Sequence, residues 1–432
     1  MKVFMLGWEF PPFISGGLGT ACYGLTKALD QLGVQITFVL PTMVQGQYAR
    51  HVKLIAPGMK PSPTSLNVRS LKRVSFKPIN SSLRPYVSSG DYQQHIEQSL
   101  QRIRAAHGKT SPLKVGFNYK GDLYKEVHRY ADLAVKLAAE EEFDIVHAHD
   151  WMTYPAGVAV ARASGKPLVI HVHSTEFDRS GEHVNQMVYD IERMGMHAAD
   201  KIIAVSYLTR NIIISRYGVS GSKVEVVYNG VERNGNDNGN GSAAKTGIAK
   251  DEKVVLFLGR ITMQKGPDYF LRAAKKVLER MSNVKFVMVG SGDMMHRAVE
   301  MAAELGIGSK VLFTGFLQGE DVNKIYKMAD LYVMPSVSEP FGIAPLEALD
   351  NDVPVIISKQ SGVSEVLKHA LKVDFWDIDE MANKIIAVLK YPSLSVTLRN
   401  HGSYEMSKLR WTDTASKCVK IYEEVLVGAA VV

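Results

Sequence analysis

Cysteine and long apolar runs are what this chain most lacks. Its 432 residues hold two cysteines, Cys22 and Cys418, each inside a stretch of helical periodicity. A disulfide framework and a paired-cysteine zinc site are therefore not indicated, and two buried thiols in a reducing compartment are expected. No segment reaches the ~18 uncharged apolar residues of a membrane span. The run Val3 to Trp8 is too short for a secretory leader and meets Glu9 and two prolines at once. A cytoplasmic protein with no integral membrane segment is expected.

Charge of one sign is scarce too. Lys and Arg number 51 against 44 Asp and Glu, a net charge of +7 spread along the chain without a long basic block. That balance suits an anionic small substrate and gives no basis for a nucleic-acid partner. With 46% hydrophobic and 22% charged residues, the composition excludes disorder and fibre. The length exceeds the ~50–250 residues that one domain usually spans, so two domains are expected.

What is present is alternation of strand and helix. Lys2 to Leu6 reads as a buried strand, Thr20 to Leu32 as a helix with Leu25, Ala28, Leu29 and Leu32 on one face, and Val34 to Leu40 as the next strand. The stretch from Val44 to Asn118 is uninformative apart from one helical segment, Asp91 to Ala106. A helix from Leu123 to Glu141 leads into strands Asp144 to Ala148, Pro167 to His173, Lys201 to Val205 and Lys223 to Tyr228. The run Asn234 to Ser242 has no apolar residue to pack and marks a boundary, so domains of 1–245 and 246–410 are expected. A second series follows, with strands Val254 to Gly259, Val284 to Gly290, Val311 to Thr314, Leu331 to Met334 and Val353 to Ser358. This order implies an α/β fold with mainly parallel sheets.

Chemistry-bearing residues collect at the strand ends, where α/β sheets place their ligands. After the first strand, Gly16, Gly17 and Gly19 would let backbone N–H groups approach a phosphate, although a tight turn explains them nearly as well. Later strands end in His147-Ala-His-Asp-Trp151 and His171-Val-His173. A metal site is the rival reading of these histidines, but no spaced cysteine pair, no helical His-x3-His pair and no Asp-x-Asp in a phosphate-facing loop supports one. Arg260 and Lys265 flank the start of a helix that has Pro267 in its first turn. A fork of donors beside a mobile point charge suits a diphosphate, while two solvated cations are the plain alternative. Met334 gives way to a loop carrying Glu339, then a helix with Pro345 in its first turn and Ala344, a poor cap, just before it. The amides of Phe341, Gly342 and Ile343 are thereby left for an anion, with Glu347 in the first turn.

The spacing Glu339-Pro-Phe-Gly-Ile-Ala-Pro-Leu-Glu347 resembles the paired-glutamate signature of retaining glycosyltransferases of the two-domain GT-B fold. Gly259-Arg-x4-Lys-Gly266 resembles their phosphate grip, and the glycine loop and His-Asp-Trp resemble glycogen and starch synthases. Ile14 stands where those synthases usually carry a lysine, Asp352 where a glycine usually ends the helix, and Ser361 for the first of two glycines. The resemblance implies two Rossmann-like domains facing across a cleft, with a final helix, about 411–432, crossing back onto the first. It implies a nucleotide-sugar donor, with glucose as the sugar, an α-glucan acceptor, and neither a metal nor a cofactor. Glu339, Asp150 and His173 would serve catalysis, His173 being preferred over His171. Gly16, Gly17, Arg260, Lys265, Phe341, Gly342, Ile343 and Glu347 would hold the donor. A family-four enzyme with another sugar or acceptor, and a non-catalytic carbohydrate-binding protein, are the alternatives. An NAD-dependent oxidoreductase ranks last, because the turn at Gly17 and Gly19 has Cys22 in the third position and the turn Gly290-Ser-Gly292 also lacks a third glycine.

Overall fold

The first strand, Lys2–Leu6 (β1), is apolar along its length, as a parallel strand covered on both faces must be. A computed structural model describes residues 1–10, 17–41, 73–78, 123–232, 251–317 and 319–430. Among these, strands Gln35–Leu40 (β2), Val74–Pro78 (β3), Ile145–His149 (β4), Leu168–Val172 (β5), Lys201–Ala204 (β6) and Val224–Val226 (β7) join β1 in a seven-stranded sheet of order β3-β2-β1-β4-β5-β6-β7. Strands Lys253–Leu258 (β8), Val284–Val289 (β9), Val311–Gly315 (β10), Leu331–Met334 (β11), Val355–Ser358 (β12) and Leu371–Val373 (β13) form a six-stranded sheet of order β10-β9-β8-β11-β12-β13. Every described pairing is parallel. Both orders reverse direction once, at β1/β4 and at β8/β11, and doubly wound sheets open a ligand crevice at such points.

The alternation of side chains sorts the core of the second sheet. Val255 and Phe257 enter one apolar cluster with Phe270 and Phe286, whereas Val254 and Leu256 enter another with Val287 and Leu346. The first sheet's cluster takes in Trp411, Cys418, Ile421, Tyr422 and Val425 from the last helix, Trp411–Ala430. That helix lies along the first one, Gly17–Gln31 (α1). Both cysteines are free and buried, one in each of these helices. The contact depends on a missing side chain, for a Cβ at Gly24 would lie 2.1 Å from Cε2 of Trp411. Gly24→Val is therefore expected to destabilise the protein by about 1–3 kcal/mol through overpacking, read as a lowered melting temperature of the full chain.

Several readings of the sequence change here. Leu32 is 46% exposed, because α1 ends at Gln31 and the helical period no longer applies beyond it. The strand expected over Lys223 to Tyr228 is confined to Val224–Val226, which among the described residues borders only β6. Val74–Pro78, inside the stretch that gave no sequence signal, is an edge strand on β2. Its pairing comes from the sheet and not from its own short pattern. The helix expected over Asp91 to Ala106 and the run Asn234 to Ser242 lie outside the described residues, as does Gly16.

Candidate active site

Three loops at the carboxyl end of the second sheet are locked together by backbone approach. Gly290 has φ +134°, and a Cβ there would lie 1.9 Å from the carbonyl oxygen of Gly259. Gly266 has φ +68°, and its Cβ would lie 2.2 Å from the oxygen of Pro335. Only glycine fits either place. The Val337 N–H donates to the Gln264 carbonyl at 2.9 Å and completes the clasp.

The expected charges converge on this clasp. Lys265 Nζ lies 2.5 Å from Glu339 Oε2, and Ser336 Oγ donates to the same oxygen at 3.1 Å. Arg260 Nη2 donates to Oε1 of Gln264, the residue before Lys265, at 3.2 Å. Gly342, at φ +104°, sits beside Glu339, whose Cγ would be 3.2 Å from a Cβ at the glycine. Phe341 is buried next to it. The following helix, Ala344–Asp350, starts with Ile343 at its cap position and has no side-chain capping bond, so the capping residue is Ile343 and not Ala344. In its first turn Glu347 accepts from the Tyr326 hydroxyl at 3.0 Å. Burial pushes the Glu347 carboxyl above its ordinary range, with Asp350 adding to the rise and the Tyr326 bond opposing it. Asp352 does take a left-handed backbone, φ 59°.

The first sheet supplies a second, strained corner. Asp150, directly after β4, has φ 59° and ψ 169°, a region almost reserved for glycine. Its carboxylate holds the strain by accepting from the N–H of His173 at 2.7 Å and of Ser174 at 3.3 Å. Burial pushes the Asp150 carboxyl up to about 7, against the pull of Arg179 and these amides. Desolvation pushes the partly exposed His173 ring down to about 3, so the neutral imidazole is favoured. Its Nε2 meets Nδ1 of His149 at 2.9 Å. Gly17 opens α1 with nothing within 4 Å of where a Cβ would be.

The two corners face each other. Ser338, beside Glu339, donates through Oγ to Asp178 Oδ1 at 2.6 Å, and Asp178 lies just past His173 in the short helix Glu176–Ser180. Glu365 accepts from the N–H groups of Tyr207 and Leu208 at 2.9 and 2.8 Å and from the Tyr228 hydroxyl at 2.9 Å. A Cβ at Gly362 would lie 2.3 Å from the Pro340 oxygen and 2.6 Å from Ser206 Cβ. Sequence reasoning missed Asp178, Ser338, Gln264 and Tyr326. Only Asp178 had a local signal, the Thr175-x-x-Asp178 capping box.

Two stretches of the chain match known families. Residues 88–234 match the family described as Glycosyltransferase Family 4, and residues 241–403 the one described as Glycosyl transferases group 1. The chain is a GT-B glycosyltransferase. An uncharacterized glycosyltransferase of Methanocaldococcus jannaschii is 28% identical over 98% of both chains. A D-inositol 3-phosphate glycosyltransferase of Catenulispora acidiphila is 28% identical over 68% of this chain and 75% of its own. Among solved structures, sucrose-phosphate synthase from Thermosynechococcus elongatus superposes with a TM-score of 0.73 at 17% identity, covering 99% of each chain. Anabaena HepE in complex with UDP and glucose gives 0.70 at 17% identity, over 98% of this chain and 100% of that one. The fold of this glycosyltransferase is thus the one that the sequence motifs implied, and none of its described helices is long and apolar enough to cross a membrane.

Proposed function

We propose that this glycosyltransferase retains configuration at the transferred carbon and moves glucose from a nucleoside-diphosphate sugar to a carbohydrate acceptor. The contact between Lys265 and Glu339 carries the reading. In the free protein the two charges cancel each other at a place only partly open to water, 22% for the lysine side chain and 9% for the glutamate. A donor entering between them would exchange one pair for two, with the ammonium on the diphosphate and the carboxylate on the sugar hydroxyls. Arg260 would join Lys265 at the departing diphosphate, so the protein itself neutralises the leaving group, without a metal at the phosphates. The amides of Phe341, Gly342 and Ile343 would line the phosphate side, Glu347 would accept from the ribose hydroxyls, and Gly17 would approach from the facing sheet. Asp150 and His173 would bracket the reacting carbon from that same side. Contacts such as Ser338 to Asp178 would then tighten over the donor and exclude water.

UDP-glucose is the favoured donor, supported by the structural likeness to HepE, which was solved with UDP-glucose. An α-glucan is the acceptor that the front-half motifs suggest. A phosphorylated polyol or a lipid-linked sugar is the second reading, because relatives at 26–28% identity are named for D-inositol 3-phosphate and for a diphosphoundecaprenol acceptor. The test is incubation of the purified chain with UDP-, ADP- and GDP-glucose, each with glycogen, with inositol 3-phosphate and with no acceptor. Glucan elongation supports the first reading and transfer to inositol phosphate alone supports the second. Failure of all three donors to release nucleoside diphosphate overturns the assignment of the Arg260–Lys265 loop.

A further inference from the structure

Under the carboxyl end of the first sheet lies a cluster of imidazoles that sugar transfer does not use. Residues two apart on a strand share a face, so His147 and His149 of β4 point the same way, and register pairs His149 with His171 of β5. The three rings are at most 1% exposed. His147 and His171 stack with centroids 5.5 Å apart and 4° between planes, and His147 and His149 lie 4.3 Å apart.

Their nitrogens divide into held and orphaned ones. His147 Nδ1 is 2.7 Å from the Tyr422 hydroxyl, and His149 Nδ1 is 2.9 Å from His173 Nε2. Nε2 of His147, Nε2 of His149 and both nitrogens of His171 are buried with no hydrogen-bond partner. One nitrogen from each of the three rings lies within 4.8 Å of the others. Buried polar atoms are nearly always partnered, so several orphans within one cluster need an explanation. Metal-bound histidine typically donates its second ring N–H to a neighbour that fixes tautomer and orientation. Here Tyr422 and His173 occupy that place, and a proton on each Nδ1 leaves a lone pair on each Nε2. Neutral imidazole nitrogens suit zinc-like ions, whereas magnesium and calcium want oxygen. A tetrahedral ion about 2.0–2.1 Å from each nitrogen would set them ~3.4 Å apart, so the rings would draw in from the 4.8 Å within which these nitrogens lie. Cys22 with His149 and His173 makes an overlapping set, but the bond between those two histidines already uses the nitrogens that they turn toward each other.

We propose that His147, His149 and His171 bind one divalent transition-metal ion of the zinc class, at a site apart from the donor loops. The inference does not rest on the reading of donor or acceptor. It also departs from the expectation that the chain has no metal, because the ligands converge across neighbouring strands and no helical spacing announces them.

The full chain, stripped with EDTA and dialysed, is titrated with Co²⁺ and then with Zn²⁺. About one Co²⁺ per chain, the visible absorption of tetrahedral cobalt, its loss on adding Zn²⁺, and a raised melting temperature are expected. H147Q and H171Q should each bind Co²⁺ more than about 100-fold more weakly. H401A should bind as wild type, since His401 stacks on His369 in the other half of the molecule. His171 has no protein hydrogen bond to lose, so H171Q serves even where H147Q fails to fold. Absence of Co²⁺ and Zn²⁺ uptake by the wild-type chain overturns the proposal, as does wild-type affinity in H171Q with unchanged circular dichroism.

Discussion

Glu339→Ala is expected to lower turnover by about 10²–10³-fold while the protein stays folded. The carboxylate projects from a loop whose backbone is held independently of it, by the Glu339 N–H on the Gln360 carbonyl and the Glu339 carbonyl on the Gly362 N–H, both at 2.9 Å. Removing the side chain leaves that frame intact. It also frees Lys265, which loses its partner at 2.5 Å and can sit permanently on the diphosphate. Donor affinity should therefore be kept or improved while the rate falls, and this split separates loss of a group acting on the sugar from loss of the pocket. Arg260→Ala should do the reverse in part, weakening donor binding as well as turnover, because its fork of donors meets the ground-state diphosphate too. Nucleoside-diphosphate release at saturating donor, with donor affinity from calorimetry, reads both. A Glu339→Ala protein with wild-type turnover removes that residue from the mechanism.

Arg179→Ala is expected to destabilise the protein by about 3–5 kcal/mol. Its side chain is 18% exposed and bridges Glu192 at 2.5 Å and Glu176 at 3.0 Å, whose side chains are 1% and 7% exposed. The rest of the network is committed: the Tyr217 hydroxyl donates to Glu192, the Glu176 N–H donates to Glu192 Oε2 at 3.0 Å, and Ser180 Oγ donates to Glu176 Oε1 at 2.6 Å. Alanine leaves two carboxylates out of water with no cation, a penalty larger than the pair was worth. Arg179→Met combined with Glu192→Met and Glu176→Gln should recover part of the loss, since it removes the cation together with both carboxylates that faced it. Melting temperatures of the single and combined variants provide the measurement, and a single variant as stable as wild type contradicts the account. The network also supports the helix that carries Asp178, so the single variant should lose activity along with stability.

The Asp150 corner was legible as a motif and illegible as geometry. His-Asp-Trp marks a strand end, but only the folded chain shows the aspartate in a backbone region that costs about 1–3 kcal/mol, held there by amides of the neighbouring strand's loop. The histidines are legible in the sequence as two separate strand-end clusters. Their convergence depends on β4 lying beside β5 in a particular register, with Tyr422 brought in from 275 residues away.

The sequence by itself determined the alternation of strand and helix, the places where strands stop, and the residues waiting at those stops. Periodicity and glycine or proline punctuation are local properties, so a single chain displays them. Tertiary structure alone decided which stops meet: Lys265 with Glu339 across 74 residues, Ser338 with Asp178 across 160, and the last helix on the first. Strand order and the facing of two sheets arise from the joint burial of many side chains. No short stretch records such a collective choice.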